Sequence, residues 1–326
     1  MNPKTSRLLM SAAALLPALP AFALNIVLTN DDGWDSIGIQ AMKDALVLSG
    51  HEVYLAASLT QQSGSSAAIN IQSLEVIKQK STDGALEFSV ALPDGVTGAE
   101  PATCAAVAIG IATADLGSPP DLVISGINSG QNLGAATQVS GTVGAATAAM
   151  SSGLGGYQLP AIAISTDPVC SGSSEQCDEA NSQQYTRVAG WVAGFVDELE
   201  QRAKNGPLMP AGYGVNVNYP PLVSPVGAKL SRQGQAFLLG GNPGSIVFNC
   251  TGDCIGMPDG AASTVVPGFD SISVEEVKNA DTTNNLEGYI TVVPLFPDFT
   301  ADKPAENGTA KKFRKSLKKT LKAMGY

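Results

Sequence analysis

The first residues that could do chemistry are Asn30-Asp31-Asp32-Gly33, directly after the apolar run Ile26-Val27-Leu28. Adjacent carboxylates repel each other unless a positive charge sits between them. A hard divalent cation such as Mg²⁺, Mn²⁺ or Ca²⁺ meets that need, because it prefers oxygen ligands. The same four residue types also make good turns. Taken alone, the motif is open between a metal site and a polar turn.

Three more segments have the right character to act with it. Gln61-Gln62-Ser63-Gly64-Ser65-Ser66 is a hydroxyl- and amide-bearing loop. Ser125-Gly126-Ile127-Asn128-Ser129-Gly130-Gln131-Asn132-Leu133-Gly134 is a second loop of that kind, after the apolar run 121–125. Ser140-Gly141-Thr142 stands where a small-residue helix begins. Free amides and the positive dipole end of a helix start favour an anion, and phosphate is the usual one. Ser140 also reads as an ordinary N-cap, and the two roles are compatible. Together the segments describe a cation holding a phosphate-bearing substrate, and metal-assisted phosphate ester hydrolysis is the reaction that follows. Haloacid-dehalogenase chemistry is excluded, because it needs an Asp-x-Asp pair. The phosphate-loop Gly-Lys-Ser/Thr motif and a dinucleotide fingerprint after the first strand are missing too.

These segments converge only if the elements before them share one sheet. Asn25–Leu28 reads as a buried strand, Gly38–Leu48 as a helix with Ile39, Met42, Leu46 and Val47 on one face, and Glu52–Ala57 as a second strand. A strand–helix–strand unit predicts parallel pairing. Strands at 121–125, 161–165 and 215–218 and helices at 141–150 and 185–203 continue the alternation. The predicted fold is a doubly wound, mainly parallel α/β sheet, whose ligands bind at the carboxyl ends of its strands. After about residue 225 the pattern changes to irregular β hairpins and loops. The expected organisation is a leader at 1–23, a body at 24–225 and an extension at 226–326.

Composition narrows the chemistry further. His51 is the single histidine of 326 residues, so chemistry that needs several histidines is excluded. With 19 basic and 29 acidic residues the net charge is −10, which argues against a nucleic-acid polymer as partner. Residues 1–23 carry Lys4 and Arg7, an apolar stretch and Ala21-Phe22-Ala23, the pattern of a secretory signal peptide. The expected location is secreted or periplasmic, with no transmembrane segment after the leader is removed. Without the leader the balance is −12. Segment 311–322 then holds seven of the 17 positive charges, leaving ten against 29 negative ones elsewhere. That segment reads as a basic helix with Phe313, Leu317 and Leu321 on one stripe, either docked on the acidic body or binding a membrane surface or partner. Cys170 with Cys177 and Cys250 with Cys254 read as two local disulfides, or as a four-cysteine zinc site at looser spacing than usual. Cys104 reads as a buried apolar residue.

At these residues the chain resembles the SurE family, the survival-protein nucleotidases. The likeness rests on Asn25–Gly33, Ser63-Gly64, Ser125–Asn128 with Gly130 and Asn132–Gly134, Ser140–Val143, and Glu287–Leu295, in the family order. It implies a Rossmann-like domain and a divalent-metal phosphatase, using Mg²⁺ or Mn²⁺, acting on nucleoside 5′- or 3′-monophosphates. It implies metal ligands at Asp31, Asp32, Ser63 and Asn128, with Asp31 and Asp32 catalytic, and phosphate contacts at Asn132, Ser140, Gly141 and Thr142. It also implies a homodimer or homotetramer. Three places depart from the family pattern: Ser58–Gln62 replaces a Pro-Asp-Arg-like approach, Gly98–Cys104 lacks an Asp, and Val139 stands where Tyr is common. They leave room for a broad-specificity acid phosphatase. A non-catalytic phosphate or nucleotide binding protein on the same fold is the reading from another class.

Overall fold

A computed structural model describes residues 23–81, 85–151, 156–204, 206–238, 246–249, 262–265, 275–297 and 308–326. Residues 1–22, nearly all of the expected leader, and Cys250 and Cys254 lie outside the described residues.

Ile26-Val27-Leu28 behaves as a strand buried on both faces must. In β1 (Asn25–Thr29), Ile26 and Leu28 enter one hydrophobic core and Val27 enters the other, because successive side chains point oppositely. β1 pairs in parallel with β2 (Glu52–Ser58), and α1 (Ile37–Leu48) crosses between them. β3 (Glu75–Lys78) and β4 (Leu86–Ala91) follow, β4 parallel to β2 and β3 antiparallel at the edge. α2 (Pro101–Leu116) starts with proline at its first position and ends at Gly117 with φ +69°, the left-handed conformation glycine adopts without strain. β5 (Leu122–Ser129) returns beside β1. A short β6 (Leu133–Gly134) and a 3₁₀ turn (Ala135–Gln138) lead to α3 (Gly141–Met150). β7 (Ala161–Thr166), α4 (Glu175–Ala203) and β8 (Gly214–Tyr219) complete the parallel part.

The sheet does not stop at residue 225. β9 (Gly227–Leu230) and β13 (Tyr289–Leu295) extend it, β13 antiparallel to β8 and β9 parallel to β13. The order is β3-β4-β2-β1-β5-β7-β8-β13-β9. The extension also holds β10 (Phe237–Leu238), paired with β6, and an antiparallel pair, β11 (Ile246–Asn249) with β12 (Ala262–Val265). The short α5 (Asp281–Leu286) precedes β13. The carboxyl end of a strand is where connections diverge. Here β1 turns toward β2 while β5 leads the other way, so the switch point lies between β1 and β5.

Each face of the sheet carries its own core. α1 and α4 cover one face with Ile39, Met42, Leu46, Val192, Phe195 and Val196. α2 and α3 cover the other with small residues, mainly alanine. α4 begins ten residues before the predicted Tyr185, because its first turns bury little and show no apolar stripe. Ser174 caps it, accepting from the Cys177 amide at 3.2 Å, and a Cys170–Cys177 disulfide anchors that end. α2, β3 and β4 escaped the sequence reading; α2 is alanine-rich with no marked polar face, and β3 is exposed throughout. The basic tail forms α6 (Gly308–Ala323), and Phe313, Leu317 and Leu321 are buried in the α1/α4 core. The stripe is docked on the body, with Lys312, Lys315, Lys318, Lys319 and Lys322 facing outward. Cys104 is buried, and burial pushes its thiol far up, away from nucleophile behaviour. Among the described residues no helix is long and apolar enough to cross a membrane.

Candidate functional site

The turn after β1 satisfies its own backbone. The Asn30 side-chain oxygen accepts from the Gly33 amide at 3.2 Å, and its Nδ2 donates to Ser36 Oγ at 2.7 Å. Gly33 has φ +117°, a conformation side chains resist. The turn reading and the site reading of Asn-Asp-Asp-Gly are therefore both met, since the turn delivers two carboxylates to the switch point. Asp31 is buried and Asp32 half-buried.

Each carboxylate has a fixed partner from a distant element. Thr142 Oγ1 donates to Asp31 Oδ1 at 2.7 Å. The Ser129 amide donates to Asp32 Oδ2 at 2.7 Å. These bonds favour the charged forms, but burial outweighs them. Burial pushes the Asp31 carboxyl up, and burial with the neighbouring Asp31 charge pushes Asp32 up to about 6. Among the described residues no lysine or arginine forms an ion pair with either. A buried and a half-buried carboxylate, with no ion pair to a described lysine or arginine, make a site that favours an added cation.

The surrounding donors match that requirement. Asn128 is buried on β5, past the register shift against β7, and its Nδ2 donates to Gly130 O at 2.7 Å, so its side-chain oxygen is the atom that could serve a cation. The 61–66 loop is tied to β1 where the Gln62 amide donates to Asp31 O at 2.8 Å. Ser63, one residue on, is exposed, and its Oγ accepts from Gln61 Nε2 at 3.0 Å. Ser65 Oγ is buried without a hydrogen-bond partner. A side chain on Gly141 would lie 2.8 Å from Ser65 Oγ and 2.9 Å from Asp31 Oδ2, so all three meet at one point. The donor set is oxygen throughout, with neither sulfur nor imidazole. That set fits Mg²⁺ or Mn²⁺ and disfavours a soft metal. Among the described residues no three His, Cys, Asp or Glu gather, so neutral oxygens must complete the shell. His51 lies at the opposite end of β1, its Nδ1 3.4 Å from the Leu24 amide and its Nε2 3.4 Å from Asp197, and plays no part here.

The anion side is built from α3 and the 131–134 loop. Ser140 caps α3, its Oγ accepting from the Val143 amide at 3.1 Å. Thr142 is turned to Asp31 through its hydroxyl, so it links the two halves of the site. Asn132 is buried and held at its amide, its side chain and its carbonyl. Its amide donates to Asn218 Oδ1 at 2.7 Å and its Nδ2 to Ser165 Oγ at 2.8 Å. Its carbonyl accepts from Asn216 Nδ2 at 2.9 Å and Asn218 Nδ2 at 3.1 Å.

Several of these groups were not read as site residues from the sequence, although Ser65 lies in the loop that was. Asp167, directly after β7, accepts from the Gln131 amide at 2.9 Å, and burial raises its carboxyl. Asking what that strand delivers would have found it. Asn216 and Asn218 alternate in a predicted strand that the structure buries throughout, and two amides on one face of such a strand are a signal. Tyr185 gave none. Tyr185 is buried, and burial, helped by the nearby Asp32 and Asp167 charges, raises its phenol.

Known proteins carry the same architecture. The family model described as survival protein SurE matches residues 26–238. The 5′-nucleotidase SurE of Lawsonia intracellularis is 31% identical over 289 residues, covering 87% of this chain and 97% of that protein. The 5′-nucleotidase SurE of Nitratidesulfovibrio vulgaris is 32% identical over 287 residues, covering 84% and 87%. The crystal structure of the SurE protein from Aquifex aeolicus matches with a TM-score of 0.61 and 26% identity, covering 88% of this chain and 99% of that one. A family match across the body, joined to relatives aligned over most of their length, places this chain in the survival protein SurE family.

Proposed function

We propose that this chain is a divalent-metal-dependent phosphomonoesterase that hydrolyses nucleoside 5′- or 3′-monophosphates outside the cytoplasm. The observation that carries the reading is the adjacent Asp31–Asp32 pair at the switch point, Asp31 buried and Asp32 half-buried, unmatched by any protein cation described and turned toward the start of α3. The names of its relatives support a nucleotide substrate, and the leader at 1–23 supports export. A dimer or tetramer is the expected assembly, with part of the 226–326 extension forming the contacts.

Asp31, Asp32, Ser63 and Asn128 would hold the cation. When bound, Mg²⁺ or Mn²⁺ supplies charge neutralisation at the two carboxylates and polarisation of the phosphoryl oxygen. Thr142 and the Ser129 amide hold the two carboxylates in place. Asn132 orients the phosphate, with Ser140 and Gly141 presenting the start of α3 to its charge. We assign Asp31 to take the proton of the attacking water, because it is buried at the switch point and fixed by Thr142 at the start of α3.

The test is phosphate release by mature protein from 5′- and 3′-nucleotides, sugar phosphates and an aryl phosphate, with Mg²⁺, Mn²⁺ or chelator, beside Asp32→Asn. Release that needs both metal and Asp32, with nucleotides preferred, supports the reading. Aryl and sugar phosphates hydrolysed as well as nucleotides would make the enzyme a broad phosphatase. No release under any metal would overturn catalysis.

A further inference from the structure

Asn132 and Ser140 stand at the two ends of one segment, and the middle of that segment is held by the far end of the chain. Asp281, which opens α5, is fully buried. It accepts from the Gly234 amide at 2.8 Å, from the Thr282 amide at 2.8 Å and from the Gly134 amide at 3.2 Å. Gly134 is 147 residues away in sequence and two past Asn132. Beside it, Glu276 accepts from the Gln235 amide at 2.7 Å, the Ala236 amide at 2.9 Å and Thr282 Oγ1 at 2.6 Å. The carbonyl of Ala236 in turn accepts from the Ala135 amide at 2.9 Å, and Gln233 Nε2 donates to Gly134 O at 3.0 Å. The approach is close enough that a side chain on Gly134, where φ is +54°, would come within 2.1 Å of Ala236 O.

The sheet holds this segment from below through Asn216, Asn218 and Ser165, and Asp281 holds it from the other side. A buried carboxylate matched by amides alone is costly to place. Here it spans the gap between the extension and the loop that carries Asn132.

We propose that Asp281 is a positioning residue for the phosphate site. Acting through Gly134, it keeps the 132–140 segment in the register where Asn132 and the cap of α3 meet the same phosphate. The inference rests on the phosphatase reading for its substrate but not for its anion.

The experiment compares full-length Asp281→Ala and Asp281→Asn with wild type and with Leu317→Ala, a destabilised control far from the site. In Asp281→Ala, KM for a nucleoside monophosphate and the inhibition constant of inorganic phosphate are both expected to rise by at least about tenfold. Mn²⁺ affinity stays within about twofold, since no proposed ligand has moved. Asp281→Asn keeps Oδ1, which serves all three amides, and loses only the second contact of Gly134, with Oδ2 at 3.3 Å, so both constants return to within about threefold of wild type. Leu317→Ala lowers Tm and leaves KM unchanged. If Asp281→Ala does not fold, Asp281→Ser decides, because its oxygen is too short to reach Gly134. Unchanged KM and phosphate inhibition in the Ala or Ser variant would overturn the proposal. If wild type releases no phosphate, the phosphatase reading fails separately. Calorimetric binding of inorganic phosphate with Mn²⁺ then decides: binding weakened in Asp281→Ala supports positioning. Equal binding, or none in wild type, overturns it.

Discussion

Asp32 meets Asp31 in an environment that favours one proton too many, and the consequence is measurable. Its carboxyl is pushed to about 6 from an ordinary 3.8. Between those values the metal-free folded chain holds a proton that the unfolded chain has lost. Lowering the pH through that window therefore stabilises the metal-free fold, and raising it above about 6 removes that gain. In chelator, Tm is expected to rise as pH falls from about 7 to about 5, and less so in Asp32→Asn. Identical pH profiles for the two proteins would refute this. Thr142 gives a second prediction at this scale. Thr142→Val removes the hydroxyl that meets Asp31 at 2.7 Å. Mn²⁺ affinity is expected to fall by about 10- to 100-fold, with Thr142→Ser close to wild type by calorimetry.

Among the elements, the start of α3 matters most, because its small residues let it lie flush on the 63–67 loop. A side chain on Gly144 would come within 1.9 Å of Ser66 O, so backbone would have to move. Gly144→Ala is expected to cost about 1–3 kcal/mol in urea unfolding. It should also weaken metal binding, by shifting Ser63 away from Asp31. A variant that loses stability yet binds Mn²⁺ as wild type does would show that the loop adapts. At α4, Cys170–Cys177 closes a loop with a sequence separation of 7. The chain-entropy estimate for that loop is about 2.5 kcal/mol, which the Cys170→Ser/Cys177→Ser double variant should lose by denaturant titration.

For the molecule as a whole, the extension completes both the sheet and the site. β9 and β13 finish the nine-stranded sheet, and residues 276–281 hold the 134–136 segment. α6 lays Phe313, Leu317 and Leu321 on the core shared by α1 and α4, and its lysines stay in solvent. Leu317 is fully buried, so Leu317→Ala is expected to cost about 2–5 kcal/mol, read as a shifted urea midpoint at constant slope. A cost near zero would mean that the helix docks without holding the body.

Local patterns carried most of what was legible beforehand. The buried runs at 25–28, 121–125 and 161–165, the amphipathic α1 and the cap of α3 at Ser140 are written within a few residues of themselves, because period and turn chemistry act at short range. So is the Asp31–Asp32 turn. Helices and strands without a one-sided apolar pattern, such as α2, β3 and the first turns of α4, left no such mark. The partners of each site residue were not legible either. Thr142 meets Asp31 across 111 residues, Ser129 meets Asp32 across 97, and Asp281 meets Gly134 across 147. A single hydrogen bond at such separation leaves no periodic trace in sequence. It forms because the parallel sheet brings the carboxyl ends of distant strands to one edge, and because β13 folds the chain's far end back across it.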